Sequence, residues 1–234
     1  MTSPKRLARI AGALYLLVGI LGGFAEGYVE PKMYVAGNAA ATAGNVIANA
    51  GLVRLGVVAD LLDATFFVFL ALTLYTLLKP VHRSVARAML VLVILAAGIT
   101  CSSALFEFEG LRVATGAVDL AAFGGSAMVL LLLDAQHYGL LIAQIFFGLW
   151  LAPLGYLAYR STWFPRTLGV VLVAACASYL VDMLAAFLFP DVGKAIHGFA
   201  SILPAIAEPS MVLYLLIVGV KTKKPAAERA LAAA

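Results

Sequence analysis

Six apolar runs, each long enough to cross about 30 Å of hydrocarbon, decide what this chain can fold into. They lie near Leu7–Phe24, Leu52–Leu78, Val85–Phe108, Tyr138–Tyr159, Leu168–Phe189 and Gly198–Val220. In lipid every backbone N–H and C=O must be satisfied inside the chain, so runs of this length form helices. A soluble core offers no alternative: 64% of the 234 residues are hydrophobic and 12% charged, whereas soluble domains are roughly half apolar and a quarter charged. The expected fold class is all-α, a membrane protein built as a six-transmembrane-helix bundle. A single transmembrane domain is expected over residues 1–220, followed by a basic, mobile tail over 221–234.

Charge sets the expected topology. With six spans and an internal N-terminus, Lys5, Arg6, Arg9, Lys79, Arg83, Arg87, Arg160, Arg166 and the tail cations face the cytoplasm, leaving only Lys32, Arg54, Arg112 and Lys194 outside. The positive-inside rule favours this arrangement. A shorter apolar run, Val118–Leu133, would invert everything after it if it spanned, and put most cations outside. It is therefore expected as a short re-entrant or interfacial helix near 118–133 on the outer face. The expected location is the cell (inner) membrane of a bacterium, multi-pass, with both termini cytoplasmic. The net charge of +4 is thus accounted for by topology. The cations cap helices without interleaved aromatics, which argues against nucleic acid as a partner; the lipid bilayer is the expected one.

The first residues, MTSPKRLARIAGALYLLVGILGGFAEG, have the basic flank and apolar run of a signal peptide, but the run is long for one and is read as an uncleaved first helix. The stretch from Tyr28 to Gly51, rich in Ala, Gly and Asn, is expected to form a short surface helix leading into the second span. Cys101 and Cys176 both lie within apolar runs and read as inert thiols.

Against this apolar background the ionisable residues stand out. All the acids except Glu228 fall on the outer side or in the outer half of the spans. Acids contribute little to topology, so this bias points to a polar site opening outward. Asp60 and Asp63 share a face of the second span at i,i+3. His137 and Gln144 share a face at i,i+7, and Tyr179 and Asp182 at i,i+3. Glu208 sits between Pro204 and Pro209 in LPAIAEPSM, where prolines free backbone carbonyls and kink the helix. Buried charge in a membrane is costly and usually faces a bundle interior. The candidate ligand-binding set is Arg54, Asp60, His137, Gln144, Tyr179, Asp182 and Glu208, with Asp63 ranked below them. Each also has a plainer reading, as a polar residue that fixes helix register or, for Arg54, snorkels to the interface.

Known catalytic patterns are missing: no HExxH, GxSxG, Walker loop, CxxC or GxGxxG. The topology separates His82 from His137 and His197, so no three-histidine zinc site is expected. A mixed site of His137, His197 and Glu107 or Asp191 is the remaining metal option, and none is assigned. No cofactor is identified, and catalytic residues remain unassigned.

The stretches NVIANAGLVRLGVVADLLD, LLLLDAQHYGLLIAQIFFGLWLAPLGYLAYRSTWFPRTLGVVL, SYLVDML and PAIAEPSMVLYLLIVGV together resemble the bacterial integral-membrane family known only as domain of unknown function forty-three eighty-six. The resemblance runs from about Arg9 to Val220 and includes Arg54, Asp60, His137, Tyr179, Asp182 and Glu208 in its polar pattern. Phe147, Gly148, Gly155, Arg160, Pro165 and Gly169 match its packing pattern. Trp150 departs from it, since the resemblance implies a histidine after FFGL; Asp63 lies outside it. The resemblance implies a fold and a site list, and no activity.

The function expected first is binding or transport of a small or amphipathic molecule through an acid-lined cavity open to the outer side, with Asp182 or Glu208 as proton carriers. A lipid-like ligand fits the same cavity. Two alternatives stand beside it: a non-catalytic accessory or assembly membrane protein, and an intramembrane acid–base enzyme acting on lipid-like substrates.

Overall fold

The computed structural model describes residues 3–118 and 124–221, and every regular element among them is helical. Local signals set the helix starts. Ser3 caps α1 (Pro4–Phe24) by accepting from the Arg6 N–H at 3.3 Å, with Pro4 in the first turn where its missing N–H costs nothing. A π-helical turn, Ala25–Val29, and α2 (Glu30–Met33) prolong α1 without a break. Asn38 caps α3 (Ala39–Ala48), which leads into α4 (Ala50–Leu78). The ring Nδ1 of His82 accepts from the Val85 N–H at the start of α5 (Arg83–Ala114).

Two later spans are each made of two helices. α6 (Gly125–Leu149) gives way at Trp150 to α7 (Leu151–Arg160), where Pro153 has no N–H to offer the Leu149 carbonyl. α8 (Arg166–Leu188) is followed by α9 (Pro190–Ala200) and α10 (Ile202–Ile217), which meet at Ser201. Six segments are long and apolar enough to cross a membrane: Pro4–Met33, Ala50–Leu78, Arg83–Ala114, Gly125–Arg160, Arg166–Leu188 and Pro190–Ile217. The chain is a multi-pass helical membrane protein.

The short helix expected near 118–133 is placed differently. Residues 119–123 lie outside the described residues, and 125–133 form the first turns of α6, continuous with the fourth span. The polar group Asp134, Gln136 and His137, which looks like a span boundary in the sequence, has protein to face. Tyr34 donates to Asp134 at 2.6 Å, His137 pairs with Glu30 at 2.5 Å, and Gln136 is buried. One helix can therefore carry all three past the interface. The tail expected to be mobile lies, beyond Lys221, outside the described residues.

The spans form a closed ring in chain order: α1 packs on α4, α4 on α5, α5 on α6, α6 and α7 on α8, α8 on α10, and α10 on α1. Lipid tails are as apolar as leucine, so what holds such a ring is close packing and interhelical hydrogen bonding. Gly155 of α7 and Gly169 of α8 show how close: a Cβ on either would lie 2.6 Å from the other's carbonyl oxygen. Gly12 does the same for α1 on α10, where a Cβ would meet Leu216 at 2.9 Å.

Lys5, Lys79, Arg83, Arg160, Arg166 and Lys221 gather at one end of the ring, here called the basic end. The half next to it is filled. Trp150 is buried at the centre, edge-on to Tyr15 (5.3 Å between ring centroids) and Phe67 (5.0 Å), among Leu70, Leu74, Leu151 and Leu154. The residue that departs from the family pattern is thus a core plug. The opposite half has a smaller packed cluster, with Val29, Met33, Val46, Val53, Leu111 and Leu133, and an open space beside it.

Candidate functional site

Tyr15, Gly19, Gly22 and Glu26 recur at helical spacing along α1 and its π-helical extension, and all line a cavity of about 690 Å³ in the half of the ring away from the basic end. Asp63 of α4, Gln144 of α6, Tyr179 and Asp182 of α8, His197 of α9 and Glu208 of α10 supply the rest of its polar lining. The glycines make the approach possible. Gly148 seats Tyr179, whose Cβ would be 2.6 Å from any Cβ there, and a Cβ on Gly22 would already touch Asp63 Oδ1 at 3.7 Å.

Glu208 is the most firmly held of these groups. The Tyr15 hydroxyl donates to its Oε2 at 2.6 Å and the Tyr179 hydroxyl to its Oε1 at 2.9 Å, so three spans meet on one carboxyl group. Its own helix is opened by prolines on either side. Pro204 has no N–H for the Ala200 carbonyl, and the Ser178 hydroxyl of α8 donates to that oxygen instead, at 2.6 Å. At the far end of the cavity, His197 Nδ1 lies 2.8 Å from Asp182 Oδ2. Two polar atoms in the wall, Asp63 Oδ1 and Gln144 Oε1, are buried and have no partner among the described residues.

A second polar group lies beside the cavity, toward α5. Asp60 does not line the cavity; it is buried against Glu107 of α5. Gly56 makes room for this contact, since a Cβ there would meet Glu107 Oε1 at 3.1 Å and Val29 Cγ1 at 2.9 Å. Glu30 and His137 follow, with the His137 ring stacked on Tyr34 at 5.0 Å. Burial, together with the hydrogen bond to Asp134, raises the Tyr34 hydroxyl above its ordinary pKa, so it stays a donor at neutral pH.

Of the residues singled out in the sequence, Gln144, Tyr179, Asp182, Glu208 and Asp63 come together around the cavity. Asp60 and His137 belong to the second group, and Arg54 is exposed on α4 outside the cavity wall. His137 and His197 engage different carboxylates, Glu30 and Asp182. Among the described residues no three His, Cys, Asp or Glu side chains are close enough to share a metal ion. Tyr15, Glu26 and His197 were not in the expected set. Helical spacing puts Tyr15 and Glu26 on one face with Gly19 and Gly22, but nothing in the sequence marks that face as a site, and Glu26 lies beyond the expected first span, Leu7–Phe24.

The model for the family described as Domain of unknown function (DUF4386) matches residues 10–219. A protein of Archaeoglobus fulgidus, described as an uncharacterized protein, is 31% identical over 128 residues, which is 54% of this chain. The match covers 62% of that protein's length. No solved structure matches this chain. The chain belongs to the DUF4386 family.

Proposed function

We propose that this DUF4386 protein binds a small amphipathic molecule in the acid-lined cavity and moves it across or within its membrane. The single observation that carries the reading is a wall of the 690 Å³ space in which Glu208 is gripped by two tyrosines while Asp63 Oδ1 and Gln144 Oε1 have no partner among the described residues. A buried polar atom without a partner costs about 1–3 kcal/mol, and a bound molecule with polar and apolar parts offsets that cost. By the positive-inside rule the basic end faces the cytoplasm of a bacterial cell membrane, which puts the cavity in the outer half. The acids step from the cavity at Asp63 to Asp60 and Glu107. That order suits protons exchanged with a bound ligand, alongside Asp182 and Glu208.

The test uses the full chain in lipid nanodiscs and the neutral fluorescent probe N-phenyl-1-naphthylamine, with empty nanodiscs subtracted. Saturable binding is expected. It is expected to be lost in Gly19→Trp, since Gly19 lines the cavity and its Cβ position has open space around it. It is expected to weaken in Glu208→Gln. No saturable binding, or equal binding by Gly19→Trp, overturns the reading.

A further inference from the structure

We propose that the ligand is an amphipathic cation, a protonated amine on an apolar tail, and that it enters sideways from the lipid between α1 and α10. This rests on the cavity reading above and narrows it to a ligand class and a route.

The first argument is sign. Glu26, Asp63, Asp182 and Glu208 all line the cavity, and no lysine or arginine does among the described residues. His197 is the one basic group there, and it is already turned to Asp182. An anionic headgroup would meet only like charge, which electrostatic complementarity forbids. A bare metal ion finds no set of three ligands.

The second argument is hydrogen bonding. Asp63 is only 6% exposed, and among the described residues its Oδ1 has no partner; nor has Gln144 Oε1. Both are acceptors, so what is missing is a donor. A primary ammonium brings three N–H groups and no acceptor. Charge-assisted bonds of this kind are roughly twice as strong as neutral ones.

The third argument is the shape of the rest. The rest of the wall includes Leu16, Ile20, Phe147 and Leu213, which suits an apolar tail. Leu16, Ile20 and Leu213 are also 45%, 57% and 55% exposed, so the mouth of the cavity is a slot between α1 and α10 on the flank of the ring. Those helices touch at Gly12 and Leu216, nearer the basic end. A flank of apolar residues in a membrane faces hydrocarbon, so the ligand arrives from the bilayer.

The experiment titrates the full chain in nanodiscs at neutral pH with octylammonium, octan-1-ol and octanoate, which share one tail and differ in charge. Empty nanodiscs are subtracted. Octylammonium is expected to bind at least about tenfold more tightly than octan-1-ol, the equivalent of one charge-assisted hydrogen bond, and octanoate not to saturate. Asp63→Asn is expected to weaken octylammonium more than octan-1-ol. Gln144→Glu, which adds a carboxylate instead of removing one, is expected to tighten it. Leu213→Trp, at the slot, is expected to slow octylammonium association. Equal affinity for octylammonium and octan-1-ol, or no response to both charge variants, overturns the cation while the cavity reading stands. Saturation by none of the three probes removes both. An unchanged association rate in Leu213→Trp overturns the lateral route.

Discussion

Tyr15 on the first span donates its hydroxyl hydrogen to Glu208 on the sixth at 2.6 Å, joining residues 193 positions apart in the chain. With Tyr179 completing the clamp at 2.9 Å, the contact links α1, α8 and α10 at the point where the packed half of the ring gives way to the cavity.

The clamp predicts a measurable coupling. Tyr15→Phe and Tyr179→Phe are each expected to lower stability by about 0.5–2 kcal/mol, the range for interhelical hydrogen bonds in membranes. Each loss is expected to shrink when measured in a Glu208→Gln background, because the amide is a weaker acceptor than the carboxylate. Denaturant titration of the purified protein in mixed micelles, run as a double-mutant cycle, gives the coupling directly. Additive losses would mean that the tyrosines matter only for packing.

Ser178 gives a second cycle with an unusual sign. Its hydroxyl serves the Ala200 carbonyl that Pro204 leaves without an N–H. Ser178→Ala is therefore expected to cost about 0.5–2 kcal/mol in the parent. It is expected to cost much less in a Pro204→Ala background, where the helix supplies its own donor. The same unfolding titration reads it, and an equal cost in both backgrounds refutes the compensation.

The crossing of α7 and α8 predicts a strong position effect for one methyl group. Gly155→Ala forces apart backbones that now sit with a Cβ position 2.6 Å from the Gly169 oxygen, and is expected to cost about 1–3 kcal/mol. Gly98→Ala, where nothing lies within 4 Å, is expected to stay within about 1 kcal/mol of the parent. Thermal melts of the two variants side by side settle the comparison.

Topology is open to a labelling test. In a background lacking Cys101 and Cys176, Ala40→Cys on α3 and Ser84→Cys at the start of α5 are both exposed, at opposite ends of the ring. A membrane-impermeant maleimide applied to intact spheroplasts is expected to modify Ala40→Cys, and to reach Ser84→Cys only after permeabilisation. The reverse pattern would invert the orientation assigned by charge.

The sequence was most readable where a single helix carries the signal. Long apolar runs fixed the six spans, and i,i+3 spacing put Tyr179 and Asp182 on one face, where both line the cavity. It was least readable where the partner is far away in the chain. Asp60 and Asp63 are indistinguishable on helical geometry alone, yet α5 brings Glu107 to the first and α1 brings Gly22 to the second. The cluster at Asp134–His137 looked like a span boundary because its partners, Glu30 and Tyr34, belong to a stretch read as a short surface helix. Tyr15 gave no sign of its role, since a lone tyrosine in an apolar helix acquires one only when a carboxylate arrives from elsewhere.

Ring closure has a consequence for biosynthesis. The first span to leave the ribosome has α4 on one side, but its other neighbour is α10, the sixth. Until α10 inserts, Tyr15 has no carboxylate to bond and the Glu26–Asp63 face has no opposite wall. The recess therefore comes into being only in the final step of assembly, and a chain arrested before Ile202 would expose those acids to the bilayer, a ready mark for quality-control proteolysis.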